Sequence, residues 1–531
     1  MTDTHPIYTL PKKELTLRQK VGQLFMPAVF INDTEEEVQK MESLIKEHHV
    51  GSICFFHSRA SAATNFEGKK KVVHNAKSYD RLKELIARYQ KAAEVPILVA
   101  IDAEWGLAMR IENTPQFPYA ITLGALNGGE NLIYQAGQHI GWDCKAAGIQ
   151  WNLAPVVDIN NNPENPVIGY RSFGENKRKV LAKSEAFIQG MKSTGALNSI
   201  KHFPGHGDTA TDSHLGLPVI DKSLSELKEN ELFPFQELIN KGVDSVMVGH
   251  LSLPQLDAEN PSTTSSKIIT DLLRKQMGFE GVIISDALNM HAVSKKYPQK
   301  GKLEQAAFEA GMDVLCFSGN VKEGIEEILG NASEERIQES FERIWKIKYN
   351  VFADNSRPEE FNTKSPSKLN REIAESSITE LISDVSAVDQ IKSSRFLNVS
   401  VDFGKKNTFS EQISSNFGSK TIDLNDVLST DNKNIVLSIF PPAVKPKNFF
   451  GFGEITLANI HKCVAEKNSL IYLFGNPYVL DILKLRPNSN VVVVYQDFAE
   501  FQDVAFDHFM GKIEAKGTLP IQLKTKFHEQ L

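Results

Sequence analysis

The chain is poor in several features that would sort it quickly. No run of its 531 residues approaches the roughly 18 apolar residues of a membrane span, and the start, Met-Thr-Asp-Thr-His-Pro-Ile, has no apolar leader core. A membrane-embedded protein is therefore not expected, and a cytoplasmic location is; a leader peptide removed earlier would instead place the protein in the periplasm or outside the cell. Cysteine is scarce: Cys54, Cys144, Cys316 and Cys463 lie far apart, mostly in apolar surroundings such as Val314-Leu315-Cys316-Phe317. They read as reduced core residues, not as a disulfide framework or a metal site. An excess of positive charge is also missing. The net charge is −7, and the richest basic run, Lys69-Lys70-Lys71, suits a solvated helix end better than a nucleic-acid surface.

What is present is alternation. Short β-rich runs recur at 21–30, 51–56, 96–102, 149–159, 197–202, 244–251, 281–286 and 312–318, separated by stretches with helical spacing such as 34–49, 79–93, 224–241 and 268–277. Eight strands alternating with helices predict a closed parallel sheet, a (β/α)8 TIM-type barrel, rather than an open doubly wound sheet. No glycine-rich phosphate fingerprint follows the first strand, which weighs against the open alternative. Several runs end in or beside ionisable residues, namely Asp102, Asp158, His202, His250 and Asp286. A barrel with its site at the carboxyl rim requires that placement. The composition changes after Phe352. The expected organisation is a barrel over 1–352, a linker over 353–368 and a smaller α/β sandwich domain over 369–531, opening with a helix at 369–381.

The densest chemistry is Lys201-His-Phe-Pro-Gly-His-Gly-Asp-Thr-Ala-Thr-Asp-Ser-His214. So many groups titrating near neutrality at the end of a strand make an enzyme the leading expectation. His214, two residues from Asp212 in a turn, can donate to that carboxylate and act as a general acid. The competing readings are a histidine that satisfies loop backbone, or a zinc site built from His202, His206, Asp208, Asp212 and His214. Asp286 ends the apolar run Val282–Ser285 and is a candidate carboxylate nucleophile; an aspartate capping the next helix fits equally well. In Asp102-Ala-Glu104-Trp105-Gly106-Leu-Ala-Met-Arg110, the aspartate and arginine can grip hydroxyls, with Trp105 an apolar face for a sugar ring. A structural ion pair between Glu104 and Arg110 remains open. Arg171, in Tyr170-Arg-Ser-Phe-Gly174, belongs either to the site or to a plain surface loop.

Taken together, the Lys201–His214 segment, Asp102…Arg110, Arg171-Ser-Phe-Gly and Ile284-Ser-Asp286 resemble the family-3 glycoside hydrolases. More narrowly they resemble the bacterial β-N-acetylglucosaminidase (β-N-acetylhexosaminidase) branch, which the Pro-Gly-His-Gly…Asp-Ser-His form separates from the β-glucosidases. The resemblance runs from about Leu15 to Phe352. It implies Asp286 as nucleophile and Asp212/His214 as an acid/base dyad. It also implies Asp102, Arg110, Arg171, Lys201 and His202 as sugar-binding residues, with no cofactor and no catalytic metal. The chain departs from the pattern at Trp105-Gly106-Leu107, where many relatives have Gly-Gly-Arg. The C-terminal part, with Gly475-Asn-Pro-Tyr478 after a strand, resembles the second domain of longer members. The implied activity is retaining exo-hydrolysis of terminal β-linked N-acetylhexosamine from a muropeptide, a chitin oligomer or an N-glycan fragment. A glycoside phosphorylase on the same site is the near alternative, and a catalytically silent sugar-binding protein the distant one.

Overall fold

The computed structural model describes residues 14–56, 74–209, 216–353, 365–382, 386–486 and 489–524. These form two compact units that are discontinuous in sequence. One takes Met1–Phe117, Tyr134–Ile159 and Ser184–Thr363; the other takes Pro118–Ile133, Asn160–Lys183 and Lys364–Leu531. The 118–133 and 160–183 segments thus leave the 1–352 stretch that composition assigned to one domain. Most of the linker expected at 353–368 lies outside the described residues.

In the first unit the strands are β1 (Phe25–Met26), β2 (Ala28–Phe30), β3 (Ser52–Phe56), β4 (Leu98–Ile101), β5 (Trp151–Asn152), β6 (Ser199–Phe203), β7 (Ser245–Val248), β8 (Val282–Ser285) and β9 (Leu315–Cys316). Pro27 has no amide hydrogen and splits β1 from β2, so the two share one place in the sheet. Every pairing is parallel. β2, β3, β4 and β5 run side by side, as do β6, β7 and β8, and β1 pairs with β9. Bridges Trp151↔Leu197 and Val156↔Lys201 join β5 to β6, and Ile284↔Val314 joins β8 to β9, so the pairings run full circle through eight places. That is the barrel. Its strands are buried throughout, apart from partly exposed Ala28 and Phe56, which explains why they read as apolar runs rather than as alternations.

The helices start where the chemistry tells them to. Thr34 with Glu37, and Ser223 with Glu226, form reciprocal capping boxes at Glu35–His48 and Leu224–Glu229. The helix expected over 224–241 is two, Leu224–Glu229 and Leu232–Asn240, parted where Asn230 leaves helical geometry (φ −126°, ψ −78°). The one expected over 268–277 is a wider π-helix, Lys267–Gln276.

The second unit holds a six-stranded sheet of β10 (Thr379–Leu381), β11 (Phe396–Val401), β12 (Thr421–Asp423), β13 (Asn434–Ile439), β14 (Asn468–Leu473) and β15 (Asn490–Val493), in the order β10-β15-β14-β13-β11-β12. All neighbours are parallel except β10 and β15. The helix expected over 369–381 stops at Ser377, and its tail becomes the edge strand β10. All four cysteines are buried free thiols. No described helix is long and apolar enough to cross a membrane.

Candidate active site

The site grows from the carboxyl ends of the barrel strands. Lys201, inside β6, is only 2% exposed, and a buried ammonium is tolerable only beside negative charge. Its Nζ donates to Asp102 Oδ1 at 2.7 Å and lies 2.8 Å from Glu104 Oε1. Arg110 donates from its Nη2 to the other Asp102 oxygen at 3.1 Å, and its guanidinium carbon lies 3.6 Å from the centre of the Phe56 ring. Two cations and two carboxylates balance. Burial by itself would raise the Asp102 pKa, but Lys201 and Arg110 together outweigh it, against opposition from Glu104, and hold the carboxyl below its usual value. Glu104 is therefore engaged with Lys201, and Arg110 with Asp102, where the sequence left a Glu104–Arg110 pair open. The turn between them needs its glycine: Gly106 has φ +99°, and a Cβ there would lie 2.9 Å from the Pro115 carbonyl oxygen.

Next to the clamp, Asp158 is buried and organises the following turn. Its Oδ2 receives the His202 ring Nδ1 at 2.7 Å, and its two oxygens receive the His202 backbone N–H at 3.1 Å. The His206 backbone N–H donates to Oδ1 at 2.7 Å. Burial would raise the Asp158 pKa, but its two histidine neighbours, His202 first, bring it below the usual carboxylate range. His206, 1% exposed, goes the other way. Burial, reinforced by His202, pushes its imidazole down to about 4, so it is neutral at physiological pH.

Asp286 follows β8 directly. Its backbone N–H donates to the Val248 carbonyl at 2.9 Å, and its Oδ1 accepts the Ala287 N–H at 2.7 Å. Burial opposes its charge, yet His250, His202, the Ala287 N–H and Lys201 together carry its pKa down to about 2. The carboxylate is therefore ionised, unhindered by its own proton, and within electrostatic reach of the clamp. His250 is fully buried; its Nε2 donates to the Ala287 carbonyl oxygen at 2.9 Å and its Nδ1 meets Thr263 Oγ1. It braces the residue next to Asp286 from behind.

Of the residues singled out from the sequence, the fold brings Asp102, Arg110 and Lys201 into one ion cluster, with His202 and Asp286 in the same electrostatic neighbourhood. Arg171 belongs to the second unit, where it ends a short 3-10 turn, Gly169–Arg171, and donates to the Val167 carbonyl at 3.3 Å. Asp212 and His214 lie outside the described residues. Asp158 and His250 were visible as strand-end ionisable residues but had no assigned role. Their work is done on His202 and Ala287, 44 and 37 residues away, and no local pattern signals that. Among the described residues no group of three or more His, Cys, Asp or Glu is arranged to hold a metal ion.

Comparison with known proteins bears on this cluster. The Glycosyl hydrolase family 3 N terminal domain matches residues 16–347. Beta-hexosaminidase A of Pseudoalteromonas piscicida is 32% identical over 335 residues, which cover 56% of this chain and 55% of that protein. The matched stretch is thus little more than half the length of that relative. A beta-hexosaminidase of Tolumonas auensis is 35% identical over 45% of this chain and 72% of its own. Among solved structures, a glycoside hydrolase family 3 beta-N-acetylglucosaminidase from Paenibacillus sp. str. FPU-7 superposes with a TM-score of 0.78 at 29% identity, covering 97% of this chain and all of that one.

Proposed function

The chain belongs to glycosyl hydrolase family 3, and from that premise we propose that it is a retaining exo-β-N-acetylhexosaminidase releasing terminal non-reducing β-linked N-acetylglucosamine. The names of its relatives support the sugar, and the observation that carries the chemistry is the ionised Asp286 beside the Lys201–Asp102–Arg110 clamp. A carboxylate held far below its normal pKa is a standing nucleophile for the anomeric carbon. The clamp offers a carboxylate acceptor and two cationic donors, the set that grips adjacent ring hydroxyls. In this reading Asp286 attacks as the glycosidic bond breaks through an oxocarbenium-like transition state, and His214, oriented by Asp212, gives its proton to the departing oxygen. The same imidazole, now neutral, takes a proton from the water that releases the sugar. Lys201, His202, Asp102 and Arg110 hold the sugar.

A mechanism-based fluoro-sugar should label Asp286, and the label at any other residue overturns the assignment. Mass spectrometry of products formed in millimolar phosphate separates hydrolysis from phosphorolysis. Free N-acetylglucosamine is expected; mainly the 1-phosphate would make the protein a phosphorylase. No turnover of any chromogenic N-acetylglucosaminide would leave a sugar-binding protein.

A further inference from the structure

The second unit has its own carboxyl edge. Its strand order reverses between β11 and β13: the chain leaves β11 for β12 on one side and returns to β13 on the other. In open α/β sheets such a switch point leaves a crevice beyond the strand ends, because successive connections depart on opposite faces, and ligands bind there. Here residues 402–407 follow β11 and residues 440–453 follow β13, one loop from each strand that flanks the switch point. Lys405 ties the two loops, donating to the Pro441 carbonyl at 3.1 Å and to Asp497 Oδ2 at 2.9 Å.

These loops hold unusual backbone. Phe403 has φ 53°, and Asn448, Phe449 and Phe450 follow one another at 53°, 52° and 56°. Asparagine tolerates the left-handed region, but bulky L-residues rarely enter it, and two phenylalanines in succession persist there only where the surroundings force them. The outcome is two phenyl rings turned to solvent, Phe403 49% and Phe449 58% exposed. Phe452, 5% exposed, braces Phe403 edge to face at 5.7 Å across the switch point.

We propose that this crevice is a carbohydrate-binding site that seats a β-linked N-acetylglucosamine oligomer against Phe403 and Phe449; the choice of sugar rests on the activity proposed above. Two half-exposed rings offer roughly 200 Å², against about 800 Å² per partner in a stable protein interface, so a second copy of the chain is a poor occupant. A phosphate-bearing ligand fits no better. The Gly404 N–H is already given to Asp402 Oδ1 at 2.9 Å and Lys405 is matched by Asp497, so both are committed. The same loops also carry Lys406, Lys445 and Lys447, and inorganic phosphate that displaces the sugar probe overturns the choice of a neutral ligand. A neutral ligand with apolar C–H faces and many hydroxyls suits what is left.

The test is calorimetric titration of the full-length Asp286→Asn variant, in which turnover is expected to be roughly 10³-fold slower, with the β-1,4-linked N-acetylglucosamine hexamer, the probe being checked for hydrolysis after each run. Two binding events are expected. Adding Phe403→Leu and Phe449→Leu, which keep the apolar character but remove the rings, should weaken one event at least tenfold and leave the other within twofold. The same two substitutions in the otherwise unchanged enzyme should leave hydrolysis of a chromogenic N-acetylglucosaminide within twofold, with an unaltered melting curve. Identical titrations with and without the rings overturn the proposal, as does a sedimentation-detected dimer that the substitutions dissolve. Titration with the glucose hexamer separates the two readings: loop-dependent binding of that probe alone keeps the site and overturns the sugar assignment.

Discussion

The two units end their parallel strands in opposite chemistry. At the carboxyl ends of the barrel strands stand Asp102, Asp158, Lys201, His202, His250 and Asp286, each paired or hydrogen-bonded to another part of the chain. At the carboxyl ends of three strands of the second sheet stand rings: Phe440 after β13 stacks on Phe474 after β14 at 4.4 Å and 7°, and Tyr495 follows β15, while Asp402 after β11 is a charged exception. Both edges are carboxyl ends of parallel strands, so strand direction by itself does not decide what goes there. The difference lies in cost. Buried charges must be matched one by one, which couples the barrel edge to pH and makes each member sensitive to loss of its partner. Stacked rings need no partner charges and hold their place by packing alone.

The largest expected effect probes the charged edge. Asp286→Asn should lower turnover roughly 10³-fold or more with little change in the far-ultraviolet spectrum; a drop of less than tenfold would remove Asp286 from the chemistry. Next comes Asp158, a positioning residue that acts through His202. Asp158→Asn should cost roughly 10- to 100-fold in kcat/KM, corresponding to about 1.5–3 kcal/mol for a hydrogen bond to a charged group. The acid limb of the pH–rate profile should move with it, whereas a purely structural role would lower the melting temperature and leave the profile in place.

The pH response distinguishes the two edges in a single experiment. His206 is held neutral with its pKa near 4, while in the unfolded chain it takes a proton near 6.5. The unfolded state therefore binds more protons between those values, and stability falls as pH drops from about 6.5 to about 4, by about 3 kcal/mol in all. Denaturant melts of His206→Asn should lose about one proton of slope across that window. Asp286 adds to the loss lower down: its depressed pKa contributes stability above pH 3.8 that disappears as pH falls towards 2. The smallest effect belongs to the second unit. Tyr478 Oη donates to Glu175 Oε1 at 2.7 Å and accepts from Asn160 Nδ2 at 2.7 Å. Tyr478→Phe should destabilise by about 1–2 kcal/mol, and hydrolysis of a chromogenic N-acetylglucosaminide should stay within twofold. An equal loss of activity would show that the second unit shapes the chemistry.

Local pattern determined a good deal of this protein. The apolar runs marked all eight places of the barrel, since a strand buried on both faces shows in its own residues. The ionisable residues that end those runs, Asp102, His202 and Asp286 among them, could be picked out one at a time. Capping residues such as Thr34 set helix starts within a residue. Pairing was different. Lys201 meets Asp102 across 99 residues and Asp158 reaches His202 across 44, contacts that exist only once the sheet has closed. The same holds for β10, whose three residues looked like the tail of a helix until β15 gave them a partner, and for 118–133 and 160–183, which carry no local mark of the unit they join. Periodicity tells a segment which face it buries; only the folded sheet supplies the distant side chain that a buried charge or an edge strand must find.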